Sequence, residues 1–220
     1  RPVRRHLRPH PRPLPRLRHH HRPPPPLTNP LIDIIMMKNI VLALAVLFSL
    51  QIASSQVIPN GVYYIFSAVD GHYAIDDYGS NAFNGNNINL WTFNKTNAQK
   101  WKVENRNGGI ILRSAVNNNF VIDDNGCNVY NGNNIHLWEY NGTNAQLWYP
   151  ERVSSKRELF VLRSSLNRNF VIDVNGCGMF DGNNIQLWEY NGTNAQKWVF
   201  LKVGEVEFDD LMFDILFGGN

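Results

Sequence analysis

One motif occurs three times in this 220-residue chain, so its fold has to be assembled from three like units. The first copy runs from Tyr73-Ala-Ile-Asp76 to Asn97-Ala-Gln99-Lys-Trp101, the second from Phe120-Val-Ile-Asp123 to Asn144-Ala-Gln146-Leu-Trp148, and the third from Phe170-Val-Ile-Asp173 to Asn194-Ala-Gln196-Lys-Trp198. The period is 47 residues and then 50, the extra residues falling near Ser154 to Arg157 where a loop is natural. Within each copy the apolar runs are short and β-favouring. They are Val62 to Phe66, Gly109 to Arg113 and Leu159 to Arg163, then the segments at 73–75, 120–122 and 170–172, then those ending in Trp91, Trp138 and Trp188. Asn- and Gly-rich stretches such as Asn125-Gly126 and Asn131-Gly132-Asn133-Asn134 separate them, and these residues tolerate positive φ. Nothing in the repeats has helical periodicity, which excludes a helical solenoid. A propeller needs at least four blades of this size. An all-β, closed, three-fold barrel of hairpins remains, and closure also removes exposed sheet edges.

The ends of the chain distort its bulk composition. Residues 1–35 are rich in Arg, Pro and His, with almost nothing apolar to bury, and read as an unstructured leader. Met36-Met37-Lys38, the apolar run Ile40 to Leu50 and Ala53-Ser54-Ser55 have the parts of a secretory signal over 36–55, cleaved before Gln56. The run is well short of the ~20 residues that span a bilayer, so no membrane span is expected. Eight arginines, Lys38 and Asp33 precede Gln56; without them the 21 basic and 18 acidic residues become 12 and 17. The mature chain is then acidic, which argues against nucleic acid as a partner, because phosphate contacts need Lys and Arg.

Three spaced copies of Ile-Asp, Asn-Gly-Asn-Asn-Ile-x-Leu-Trp and Gln-x-Trp resemble the ricin B-chain-like lectins, over about residues 56–203. The resemblance implies a β-trefoil of about 48-residue repeats, a secreted lectin with glycans as partners, galactose-type sugars being the family's commonest ligands, and no cofactor. It also implies one shallow sugar pocket per repeat. The carried-over residues are Asp76, Trp91 and Asn94; Asp123, Trp138 and Asn141; and Asp173, Trp188 and Asn191. The strand residues Asn89, His136 and Gln186 differ between copies and are expected to tune each pocket. The chemistry is coherent on its own terms. A pyranose has an apolar C–H face that can lie on an indole, and vicinal hydroxyls that suit a carboxylate and an amide. The competing reading makes the aspartates turn caps and the indoles packing residues. Gln99, Trp101, Gln146, Trp148, Gln196 and Trp198 are assigned to the structural core of the repeats.

Two departures from the family carry expectations of their own. Where plant members staple each repeat with a disulfide, this chain has Ala74 with Phe93, Val121 with Tyr140, and Val171 with Tyr190, so an apolar contact is expected instead. Many members also place Asn directly before the Gln of Gln-x-Trp; here that position is Ala98, Ala145 and Ala195, with Asn97, Asn144 and Asn194 one step earlier. Asn94, Asn141 and Asn191 each begin an Asn-x-Thr acceptor sequon, so glycosylation there would crowd the pockets. Cys127 and Cys177 occupy one place in two repeats, with Ser80 in the other, and are expected to be small turn residues that do not pair. Asp77 and Asp124 beside Asn-rich turns show no repeated calcium spacing, so no metal site is assigned. Without a nucleophile–base pair or phosphate loop, no catalytic residue is assigned either. Residues 204–220 form an acidic amphipathic tail, whose apolar face over 208–217 either docks on the barrel or meets a partner or second copy. The rival functional reading is a protein-binding or inhibitory trefoil with non-functional sugar pockets.

Overall fold

A computed structural model describes residues 58–154 and 158–204, together with Met37 and Lys38. The leader over 1–35, most of the signal segment and the tail beyond Gly204 lie outside the described residues.

The first repeat supplies β1 (Gly61–Ser67), β2 (Tyr73–Asp77), β3 (Ile88–Thr92) and β4 (Trp101–Arg106). The second supplies β5 (Gly109–Ser114), β6 (Phe120–Asp124), β7 (Asn133–Glu139) and β8 (Trp148–Arg152). The third supplies β9 (Leu159–Ser164), β10 (Phe170–Val174), β11 (Asn183–Glu189) and β12 (Trp198–Lys202). Six strands pair in an unbroken antiparallel ring, β1 with β4, β4 with β5, β5 with β8, β8 with β9, β9 with β12, and β12 back to β1. The other six form three cap hairpins, β2–β3, β6–β7 and β10–β11. This is the closed three-fold arrangement of hairpins expected from the repeat, and the β-trefoil that the family resemblance implies. The tight β4–β5 hairpin turns through Asn107 (φ 50°) and Gly108 (φ 77°), the paired positive φ values that an Asn-Gly turn supplies. The matching β8–β9 connection is longer, and it accounts for the 50-residue period.

Alternation along each strand fills the interior. Ile65, Ile75, Leu90, Leu112, Ile122, Leu137, Leu162, Ile172 and Leu187 belong to one core with Trp101, Trp148 and Trp198. These side chains are essentially solvent-free.

The caps are joined on the pseudo-three-fold axis by a ring the sequence does not announce. Asn87 donates through Nδ2 to Asn184 Oδ1 (2.9 Å), Asn184 to Asn134 Oδ1 (2.9 Å), and Asn134 to Asn87 Oδ1 (3.0 Å). Each amide gives one hydrogen bond and takes one. Asn134→Ala removes two of the three, and at about 0.5–1.5 kcal/mol each should cost about 1–3 kcal/mol. A thermal melt checks this against Asn117→Ala, an exposed loop change expected to be smaller; equal melting points would remove the ring from the account.

Candidate functional site

Each cap hairpin carries one open depression. Asp76, Tyr78, Gly79, Ser80, Trp91, Asn94, Thr96 and Ala98 wall the first, of about 370 Å³. Asp123, Asn125, Gly126, Cys127, His136, Trp138, Asn141 and Thr143 wall the second, of about 340 Å³. Asp173, Val174, Asn175, Gly176, Cys177, Gln186, Trp188, Asn191 and Thr193 wall the third, of about 270 Å³. The fold thus brings the acid, indole and asparagine of each repeat to one place. Antiparallel register explains the first two: Asp76 sits opposite Asn89, Asp123 opposite His136 and Asp173 opposite Gln186, and the indole two residues further along emerges on the same face.

The Gln-x-Trp residues hold this arrangement from below. The buried Trp101, Trp148 and Trp198 donate through Nε1 to the carbonyls of Ile75 (3.0 Å), Ile122 (3.2 Å) and Ile172 (3.2 Å), each the residue before a pocket aspartate. The solvent-free Gln99, Gln146 and Gln196 accept through Oε1 from the backbone N–H of Asn94, Asn141 and Asn191, at 2.8–2.9 Å. Through Nε2 the same glutamines donate at 3.0 Å to the carbonyls of Thr92, Glu139 and Glu189, one residue past each pocket indole. One motif therefore fixes the aspartate strand, the indole strand and the asparagine loop together. Asn94, Asn141 and Asn191 accept through Oδ1 from the N–H of the threonine two residues on (3.0 Å each), which leaves the amide NH2 as the donor on these pocket-lining side chains.

The three pockets are not copies. Gln186 donates to Asp173 Oδ1 at 2.9 Å, and His136 Nε2 lies 3.1 Å from Asp123 Oδ1 while its ring stacks on Trp138 at 5.4 Å. Asn89 does not reach its pocket. It is 1 % exposed, one methylene shorter than Gln186, and its Oδ1 has no hydrogen-bond partner in the protein. Burial pushes the Asp76 carboxyl up to about 6, with Asp77 and Asp181 nearby adding to the rise. Burial raises Asp173 too, offset in part by the hydrogen bond from Gln186. The indole of Trp138 is the most open large surface of its pocket, at 38 % exposure.

In the sequence three wall residues read only as small turn residues, and the structure adds that they line the pockets. Ser80, Cys127 and Cys177 share φ 55°, each following a positive-φ glycine in a tight turn beside the pocket aspartate. Cys127 thus shares a wall with His136 and Asp123. The trio has the side-chain types of a nucleophilic site, but burial, with Asp123 and Asp124 nearby, pushes the thiol up, and a protonated thiol is a poor nucleophile. Asn97 and Asn194 accept from Lys100 and Lys197 on the exposed side of their turns, and neither lines a pocket. At the positions of the family's disulfide, Phe93 packs edge-on against Tyr64 and Phe66 (4.8 Å each) as an apolar contact. In the other two repeats an arginine packs on the tyrosine: Arg113 lies over Tyr140 (4.4 Å) and Arg163 over Tyr190 (4.6 Å). Cation–π contacts are therefore made at these two tyrosines.

Behind the pockets lie Asp77 and Asp124. Asp77 accepts from Asn86 (2.6 Å) and Ser114 (3.1 Å), whereas Asp124 accepts from Asn133 through one oxygen and its Oδ2 has no partner. Burial pushes Asp124 up to about 7. Its folded value lies above the unfolded one, so between about pH 4 and pH 7 the folded chain keeps a proton that the unfolded chain releases. This contribution to stability is therefore present at low pH and lost as pH rises through about 7, at up to about 1.4 kcal/mol per unit. The third repeat has Val174 in this place, and Asn183 still donates to Asn175 and Gly178 carbonyls there. Asp124→Val should therefore fold and flatten the decline of denaturation midpoint between pH 4 and pH 7. An unchanged slope would contradict this assignment.

Among the described residues no group of three His, Cys, Asp or Glu side chains is placed to hold a metal ion. Nor is any helix there long and apolar enough to cross a membrane.

A closed six-strand ring under three cap hairpins, with one walled depression per repeat, defines a β-trefoil. A family model described as ricin-type beta-trefoil lectin domain-like matches residues 49–138 and 112–188, more than half the chain, and the chain belongs to that family. Among solved structures it is similar to a designed three-fold symmetric protein, ThreeFoil (19 % identity, TM-score 0.61, covering 66 % of this chain and 100 % of that one). It is also similar to a ricin B-like lectin of Macrolepiota procera in complex with lactose (20 % identity, TM-score 0.57, 66 % and 98 %). A third likeness is to an exo-beta-1,3-galactanase from Clostridium thermocellum (21 % identity, TM-score 0.61), of which this chain covers 31 %. At these identities the likenesses show the fold alone. No curated protein matches the chain.

Proposed function

We propose that this protein is a secreted carbohydrate-binding protein with up to three weak glycan sites, acting by multivalent attachment and catalysing no reaction. One observation carries the reading: an acid, an indole and an asparagine meet in one open depression in every repeat. A shallow pocket of this kind holds a sugar at about millimolar strength. Three of them meeting a clustered glycan surface gain through effective concentration. Galactose-type sugars are the first candidates, since the M. procera lectin has a solved structure in complex with lactose. Secretion rests on the segment 36–55, and the tail over 208–217 stays a candidate contact surface for a partner or second copy. A glycan array probed with the full chain, made in bacteria so that the sequons stay unmodified, is expected to show binding to clustered glycans; an array without binding overturns the reading.

A specific feature favours one second reading. Asn94, Asn141 and Asn191 are exposed on the pocket walls, and the amide nitrogen offered to a sugar is also the atom that N-glycosylation modifies. Fully occupied sequons in the native protein would favour a protein-binding or inhibitory trefoil, and peptide mass spectrometry of the native material decides between the two.

A further inference from the structure

Phe83, Tyr130 and Phe180 hold one position in the three repeats and are 48 %, 55 % and 57 % exposed. A turn at that place is ordinarily polar, and three half-exposed aromatic rings in register call for an occupant. Their location follows from the chain path. Each turn leaves the wall of its own repeat's pocket, at Ser80, Cys127 or Cys177, and within about six residues is tied to the strand carrying the next repeat's indole. Gly85 N–H donates to Leu137 carbonyl (2.8 Å) and Glu139 N–H to Asn84 Oδ1 (2.6 Å), on either side of Trp138. Gly132 donates to Leu187 (2.9 Å) and Glu189 to Asn131 (2.7 Å), on either side of Trp188. Gly182 donates to Leu90 (2.9 Å) and Thr92 to Asp181 (2.6 Å), on either side of Trp91. The contact is close: a Cβ on Gly132 would lie 4.0 Å from the Trp188 ring. At the other end, the Phe180 ring lies against Gly178, one residue past Cys177 of its own pocket, where a Cβ would come within 2.8 Å of it.

Each of these aromatic residues thus stands in a turn that spans the rim between two consecutive pockets. A pocket of this size holds one sugar ring, and the rest of a glycan has to leave across a rim. We propose that Phe83, Tyr130 and Phe180 are second sugar-stacking subsites, so that the protein reads oligosaccharides of at least two residues and not terminal monosaccharides alone. The proposal rests on the carbohydrate-binding reading above.

The test is an array of monosaccharides and their two- to four-residue extensions, probed with the full bacterial chain and with two triple variants. One carries Phe83→Ser, Tyr130→Ser and Phe180→Ser, and the other carries Leu at the same places, keeping bulk without a π face. The parent is expected to prefer the extended glycans by about three- to tenfold, the range of one aromatic contact. Both variants should lose that preference and keep monosaccharide binding, and the Leu variant reports if the Ser variant fails to fold. Retention of the preference in a folded variant overturns the subsites and leaves the carbohydrate reading intact. Loss of monosaccharide binding in the folded Leu variant also overturns them, because the rings would then belong to the pocket itself. A change in sedimentation between parent and variant, with glycan preference unaltered, overturns them in favour of contact with a second copy. A parent that binds no glycan overturns both readings.

Discussion

Trp148→Ala should leave this domain largely unfolded or close to it. Its indole is solvent-free in β8, with Ile110 opposite on one side and Ser164 on the other. Truncating a buried Trp to Ala costs about 3–5 kcal/mol from lost burial and the cavity left behind. The Ile122 carbonyl that accepts from its Nε1 is then stranded, adding about 1–3 kcal/mol. A domain of this kind has about 5–15 kcal/mol in all. Ile122 also precedes Asp123, so any folded remainder should have a loosened second pocket. Trp138→Ala is the control, because that indole is 38 % exposed and its pocket stays walled by other residues. Urea denaturation should give a midpoint far lower for Trp148→Ala than for Trp138→Ala. Similar midpoints would mean that the Gln-x-Trp indoles are not what the cap hairpins rest on.

The second large effect is on binding. Asp76→Ala, Asp123→Ala and Asp173→Ala together should remove glycan binding altogether while leaving the fold intact. A carboxylate accepting from sugar hydroxyls contributes about 1.5–3 kcal/mol, roughly ten- to over a hundredfold in affinity per site. From a millimolar start, the residue of each site falls below detection, and multivalent gain multiplies the loss. The fold should survive because burial already opposes the charged form of Asp76 and Asp173. Acid should imitate part of this effect. Asp76 has its proton below about pH 6, where it stops being a double acceptor, so first-pocket binding should weaken about tenfold per unit below that. Surface plasmon resonance on the array's strongest glycan, read with circular dichroism, checks both statements. Full binding by the folded triple variant would remove the aspartates from the site.

The barrel was legible because the repeat copies every structural constraint three times. Nine matched apolar runs marked nine of the twelve strands, the Gln-x-Trp segments opened the other three, and the longer connection between Arg152 and Leu159 explained the change of period. The acid, indole and asparagine of each pocket were legible through resemblance, since no spacing rule alone brings residues 76, 91 and 94 together. Other features were not, because their meaning lies in partners that only the folded chain supplies. Asn87, Asn134 and Asn184 read as turn residues, yet they close an amide ring across repeats. Asn89 reads like His136 and Gln186 but is too short to reach a carboxylate across its strand pair. Tyr140 and Tyr190 read as apolar partners, and the arginines that lie over them come from the first strand of the same repeat, β5 and β9.

The most direct measurement uses the six tryptophans as separate reporters. Their indole N–H signals divide into three at pocket walls (Trp91, Trp138, Trp188) and three bonded to core carbonyls (Trp101, Trp148, Trp198). In a 15N-labelled chain titrated with galactose, or with the strongest monosaccharide from the array, the three pocket signals should shift saturably at millimolar concentration while the three core signals stay still. A titration in which no indole moves, or in which core and pocket signals move together, would contradict the claim that each repeat carries a sugar site.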